Sequence, residues 1–199
     1  MIPKYTAAVI ILLGLWINVS CIIPATLQAT PAFTPTTIVE PTKDVSATFK
    51  KMEVDRYRFE VPENQKIVEA KNARMNEFIK GQLVYGGRSG NIWFFIVERE
   101  LSPDEKFEEV YRKAYLDFKN LMPSYQPLSE DKFSQGNSSA YKHIYKYPWG
   151  EPWYKQYDLW IMQGNSVAVA SCYHYPNIKE EQAAEQACEH FLDTFQFNN

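Results

Sequence analysis

The chain carries no excess of basic residues: 21 lysines and arginines stand against 24 aspartates and glutamates, for a formal charge of −3. Without that excess little draws it to a phosphate backbone, which argues against a dedicated nucleic-acid binder. It also lacks the compact catalytic signatures. There is no Gly-x-Ser-x-Gly elbow, no His-Glu-x-x-His pair and no Walker or Rossmann glycine pattern. The carboxylate runs Glu98-Arg99-Glu100, Glu108-Glu109 and Glu180-Glu181 fall where solvated faces are expected, so no catalytic residue is assigned. Apolar residues are plentiful: 45% of the 199 positions are hydrophobic and 15% aromatic, enough for one globular domain plus a tail.

The N-terminal segment reads as an address. Lys4 precedes an apolar run from Ala7 to Val19 broken only by Gly14 and Asn18, the layout of an export signal. The run closes on Asn18-Val19-Ser20-Cys21, which resembles a bacterial lipoprotein signal and implies a signal peptide over 1–20 and lipidation of Cys21. Two alternatives stay open. Tyr5 to Ile23 makes 19 residues, close to the ~20 that span a bilayer as a helix, so an uncleaved single-pass anchor fits. Plain secretion is the other. All three place the domain beyond the cytoplasmic membrane. Pro24, Pro31, Pro35 and Pro41 then punctuate a threonine-rich stretch with few large apolar groups, so an extended tether is expected over 21–49 and a globular domain over 50–199.

Within that domain, Tyr57-Arg58-Phe59-Glu60-Val61 alternates apolar and polar as a strand does. Gln82–Tyr85 and Ile92–Val97 predict a hairpin around a turn at 86–91, a glycine-bearing loop that leads into a strand and lacks the P-loop Lys-Ser/Thr. Ser102-Pro103-Asp104-Glu105 has the form of a capping box, and Phe107, Val110, Tyr111, Ala114, Phe118 and Leu121 follow at helical spacing. Strands are predicted over 138–147, 154–163 and 166–175, the last two joined at Gly164-Asn165. A final helix is predicted over 178–195, with Ala184, Cys188, Phe191 and Phe195 on its core face.

This order of elements, with Gly136-Asn137-Ser138-Ser139-Ala140 opening three strands and Phe191-Leu192-Asp193-Thr194-Phe195-Gln196-Phe197 closing the chain, resembles the Mog1/PsbP-like fold over residues 52–197. The resemblance implies an α+β fold, an antiparallel sheet flanked by helices in an α/β/α sandwich. It also implies a non-enzymatic role without cofactors, since within the family Mog1 binds a small GTPase and PsbP a photosystem. Neither partner surface transfers to residues of this chain.

Three cysteines are an odd number for an exported chain. With Cys21 lipidated, Cys172 and Cys188 remain as a pair. Cys172 shares a strand face with Ala168, Ala170 and His174, and Cys188 lies in the apolar stripe of the last helix, so docking that helix on its preceding strand opposes the sulfurs and predicts a disulfide. Two buried free thiols are the alternative. No metal is assigned, because Cys188 and His190 lie about 200° apart on a helix. His143 reads as a satisfied structural histidine.

Tyr145, Tyr147, Trp149, Trp153, Tyr154, Tyr157 and Trp160 crowd into 16 residues around an expected hairpin tip at 148–153. Tyr147, Trp149 and Trp153 are the candidate binding residues; the alternative returns Trp153 and Trp160 to the core. The leading expectation is a non-catalytic, membrane-anchored envelope lipoprotein that binds an unidentified envelope protein. The second is a ligand-binding module that sets the aromatic hairpin against envelope polysaccharide or lipid, and an enzyme is third.

Overall fold

Period-two burial builds the first sheet. Tyr57, Phe59 and Val61 of β2 (Tyr57–Pro62) are fully buried while Arg58 is exposed. This strand lies between β1 (Phe49–Val54) and the short C-terminal β10 (Gln196–Phe197), both antiparallel to it. The computed structural model describes residues 48–68, 78–135, 138–148, 153–175 and 181–198, all within the compact unit Lys43–Asn199. The expected signal peptide, Cys21, nearly all of the expected tether and Trp149 lie outside the described residues.

The second sheet has seven strands: β3 (Lys66–Ile67), β4 (Gln82–Ser89), β5 (Ile92–Glu100), β6 (Gln126–Gln135), β7 (Ser138–Pro148), β8 (Trp153–Gln163) and β9 (Ser166–His174). Their order is β3-β4-β5-β9-β8-β7-β6, and all neighbours are antiparallel. Alternation along the central strands feeds two separate cores. Phe94, Ile96, Leu159, Ile161, Ala168, Ala170 and Cys172 pack with Phe59 of β2 and with Cys188, Phe191 and Leu192 of α2 (Glu181–Thr194). Their neighbours in sequence, Val97, Trp160, Val167 and Val169, pack instead with Phe107, Tyr111, Ala114 and Phe118 of α1 (Phe107–Leu121). Among the described residues the architecture is antiparallel sheet with the helices α1 and α2, and most of it is strand.

Several expectations need correction. The 102–105 segment closes a turn and does not start the helix: Glu105 N–H donates to the Ser102 carbonyl at 2.9 Å, and Ser102 N–H donates to the Glu105 carboxylate at 2.9 Å. Arg99 binds that same carboxylate. The N-cap is Lys106, extended at φ −104° and without a side-chain cap bond, so α1 begins at Phe107. Leu121, expected in the core, is 65% exposed, and Tyr115 takes the inward position. The 86–91 turn shrinks to Gly90-Asn91, because 86–89 continue β4. Gly87 is needed there: a Cβ would meet the Gln65 Oε1 and the Tyr85 hydroxyl at 2.5 Å. Among the described residues no helix is long and apolar enough to cross a membrane.

Candidate functional site

The β7–β8 hairpin positions the candidate aromatics through the pairs Tyr147↔Tyr154 and Pro148↔Trp153. Because side chains alternate, Tyr141, His143, Tyr145 and Tyr147 all turn toward α1. Tyr147 is 6% exposed, edge-on to Phe118 at 5.2 Å and parallel to Tyr154 at 5.5 Å. It is a core residue and not part of an exposed binding tip. Trp160 is fully buried as well. Trp153 is half-buried and lines a surface cleft of 340 Å³ together with Gln126, Lys146, Tyr154 and Lys155.

Under α1 lies a buried polar network that the sequence did not announce. Asp158 is 0% exposed, and its Oδ2 accepts hydrogen bonds from Tyr115 at 2.7 Å and Tyr145 at 2.9 Å. Its Oδ1 accepts from the Gln156 amide at 2.8 Å. Trp160 Nε1 donates in turn to the Tyr115 hydroxyl at 2.9 Å. Burial raises the Asp158 pKa, and the hydrogen bonds from Gln156, Tyr115 and Tyr145 act against that rise. Directly opposite Asp158 on β7, His143 lies between the Tyr125 hydroxyl at 2.7 Å (Nε2) and the Tyr111 hydroxyl at 3.3 Å (Nδ1). The one signal in the sequence was the spacing Gln156, Asp158, Trp160, which puts a carboxylate on the face that carries a core tryptophan. With no exposure, Asp158 offers nothing to a substrate and acts as a hydrogen-bonding centre for the core.

On the opposite face Cys172 of β9 and Cys188 of α2 are joined by a disulfide with Cα atoms 5.3 Å apart, both residues fully buried. The neighbouring histidines diverge. His174 is buried with Nδ1 3.1 Å from the Tyr175 carbonyl, whereas His190 Nε2 meets Glu60 Oε2 at 2.8 Å. Among the described residues no group of three or more His, Cys, Asp or Glu side chains converges as metal ligands would.

No protein-family model and no curated protein matches the chain. Solved structures do match. Cyanobacterial PsbP (CyanoP) from Synechocystis superposes with a TM-score of 0.56 at 10% identity, over 80% of this chain and 98% of its own. LpqN, involved in cell envelope biogenesis of Mycobacterium tuberculosis, superposes with a TM-score of 0.50 at 14% identity, over 76% of this chain and 91% of its own. The chain has the Mog1/PsbP-like fold. At such identities the likeness concerns the fold alone.

Burial gives the Mog1/PsbP-like domain a defined pH response. The His143 pKa is held below its ordinary value of 6.5 by desolvation, with the nearby Asp158 and Glu130 carboxylates pulling the other way. The unfolded chain therefore takes up a proton that the folded chain resists. This contribution to stability is complete above the unfolded pKa and is lost as pH falls through about 6.5 toward the lower folded value. His174, lowered mainly by burial, has the same sign. Asp158 has the opposite sign: its raised pKa favours the folded state most below the unfolded value, and that advantage is lost as pH rises through the folded one. Asp158 titrates alike in wild type and variant, so the difference isolates His143: between about pH 7.5 and pH 5.5 the change in Tm should be less unfavourable in His143→Gln than in the wild type. An unchanged slope in the variant would show that His143 is not held neutral.

Proposed function

We propose that this chain is an exported, membrane-anchored protein that binds without catalysing. In this reading residues 1–20 are the signal peptide, Cys21 carries the lipid, 21–49 form the tether and 50–199 form a Mog1/PsbP-like domain that engages another envelope protein. The packing of one helix core on each side of the central strands supports reading that domain as an α/β/α sandwich. One observation carries the extracytoplasmic placement. A disulfide buried between sheet and helix belongs to an oxidising compartment, where such bonds form and persist. The part that LpqN plays in cell envelope biogenesis accords with this placement. Growth with an alkyne analogue of palmitate should label the wild-type protein and leave Cys21→Ala unlabelled; label retained by the variant would refute the lipoprotein reading. Crosslinking in the native envelope followed by affinity capture should recover a protein partner. Turnover of a generic ester or peptide substrate would contradict the non-catalytic role.

The cleft beside Trp153 favours a second reading, a ligand-binding module for envelope polysaccharide or lipid. Tyr147 drops out of that site because it is buried, Trp153 stays, and Trp149 stands four residues before Trp153 in the sequence.

A further inference from the structure

On the α2 side of the large sheet, strand register lines up four nitrogen-bearing side chains. Gln126 of β6 pairs with Lys146 of β7, Lys146 with Lys155 of β8, and Lys155 with His174 of β9. Two lysines directly opposite on adjacent strands have Cβ atoms about 5 Å apart, and such like-charge pairs are destabilising. The protein compensates one of them: Lys155 forms an ion pair with Glu185 of α2 and lies 5.3 Å from the Tyr157 ring centre. Lys146 has no carboxylate partner among the described residues, although it is half-buried beside a second cation.

Two residues beyond Lys155 on the same face stands Trp153, opposite Pro148. Lys146, Lys155, Trp153, Tyr154 and Gln126 line the 340 Å³ cleft, a volume at the lower end of small-ligand sites and suited to a single ring. A flat apolar ring, an amide and an uncompensated ammonium in one small cleft call for a ligand that presents a ring face, hydroxyls and a negative charge together. A neutral sugar would leave Lys146 uncompensated. An acidic peptide would supply charge without a ring face for Trp153.

We propose that this cleft is a subsite for an anionic sugar, a pyranose bearing a carboxylate or phosphate: Trp153 stacks on the ring, Gln126 binds a hydroxyl, and Lys146 pairs with the acid. The subsite rests on the ligand-binding reading and is independent of any protein partner, so capture of a partner with no glycan binding would remove the subsite and leave the leading reading in place.

The test uses the full-length protein in detergent and calorimetric titration with four polymers: polygalacturonate, a phosphate-bearing mannan, dextran and polyglutamate. Polygalacturonate or the phosphomannan should bind, and whichever binds identifies the acid. Dextran, a ring without an acid, and polyglutamate, an acid without a ring, should each bind at least about tenfold more weakly. Lys146→Gln and Trp153→Ala should each weaken the anionic glycan by about tenfold or more. Lys146→Gln should not lower Tm, because it relieves a like-charge pair, so it decides the matter even if Trp153→Ala misfolds. Binding of neither anionic glycan, polyglutamate binding as tight as the glycan, dextran binding as tight, or a Lys146→Gln variant of undiminished affinity would each overturn the proposal.

Discussion

Replacing Asp158 by leucine should lower stability by about 3 to 5 kcal/mol, whereas Asp158→Asn should cost less than about 2 kcal/mol. The leucine removes the carboxylate that accepts from three buried donors, the Tyr115 and Tyr145 hydroxyls and the Gln156 amide. Each such loss costs roughly 1 to 3 kcal/mol, partly offset by relief of an expensive buried carboxylate. Asparagine keeps an acceptor oxygen toward the two tyrosine hydroxyls and turns its amide toward Gln156, whose own amide can flip to present its oxygen. Denaturant titration of both variants measures the difference. If asparagine proves as costly as leucine, the negative charge and not the hydrogen-bond pattern holds this core together.

The second large effect is expected at the disulfide. Cys188→Ser should lower stability by about 2 to 5 kcal/mol, and reductant added to the wild type should reproduce most of that loss. Two contributions combine: the cross-link closes a loop of sequence separation 16, and the serine hydroxyl replaces sulfur in a site with no exposure. The seam it fastens is where α2 meets β9, the contact that covers the Ala168, Ala170 and Cys172 face. A loss below about 1 kcal/mol in both experiments would mean that the apolar packing of Phe191 and Leu192 holds the helix unaided.

How far the sequence revealed the fold depended on whether burial left a period. The strands around Phe59, Phe94, Trp160 and Ala170 and both helices were legible because each buries a face at a spacing of 2 or about 3.6 residues. Strand β6 was missed because it is an edge strand exposed along most of its length, with Glu130, Asp131 and Lys132 at its centre and no apolar alternation to see. Gly87 was read as a turn residue because the reason for glycine there, the close approach of the Gln65 amide and of the Tyr85 ring two residues before it, appears only in the folded strand. Of the two bonds a capping box at 102–105 implies, one forms, Ser102 N–H to the Glu105 carboxylate; the Glu105 N–H goes to the Ser102 carbonyl instead of its hydroxyl, and the pair closes a turn before the helix. At the candidate site, the cluster of aromatics was visible while its division between faces was not. Alternation sends Tyr145 and Tyr147 under α1 and Lys146 to the other face beside Trp153, and only the β7–β8 register reveals which residues share the cleft.

The central claim is that this chain is exported, lipidated at Cys21 and bridged between Cys172 and Cys188, and one thiol count tests all three. Protein taken from the native envelope, denatured and treated with a maleimide mass tag before and after reduction, should show no reactive thiol before reduction and two after it, out of three cysteines in the sequence. One reactive thiol before reduction would contradict lipidation of Cys21. Two would contradict the disulfide with the lipid in place, and three would contradict the lipid, the disulfide and the extracytoplasmic placement together.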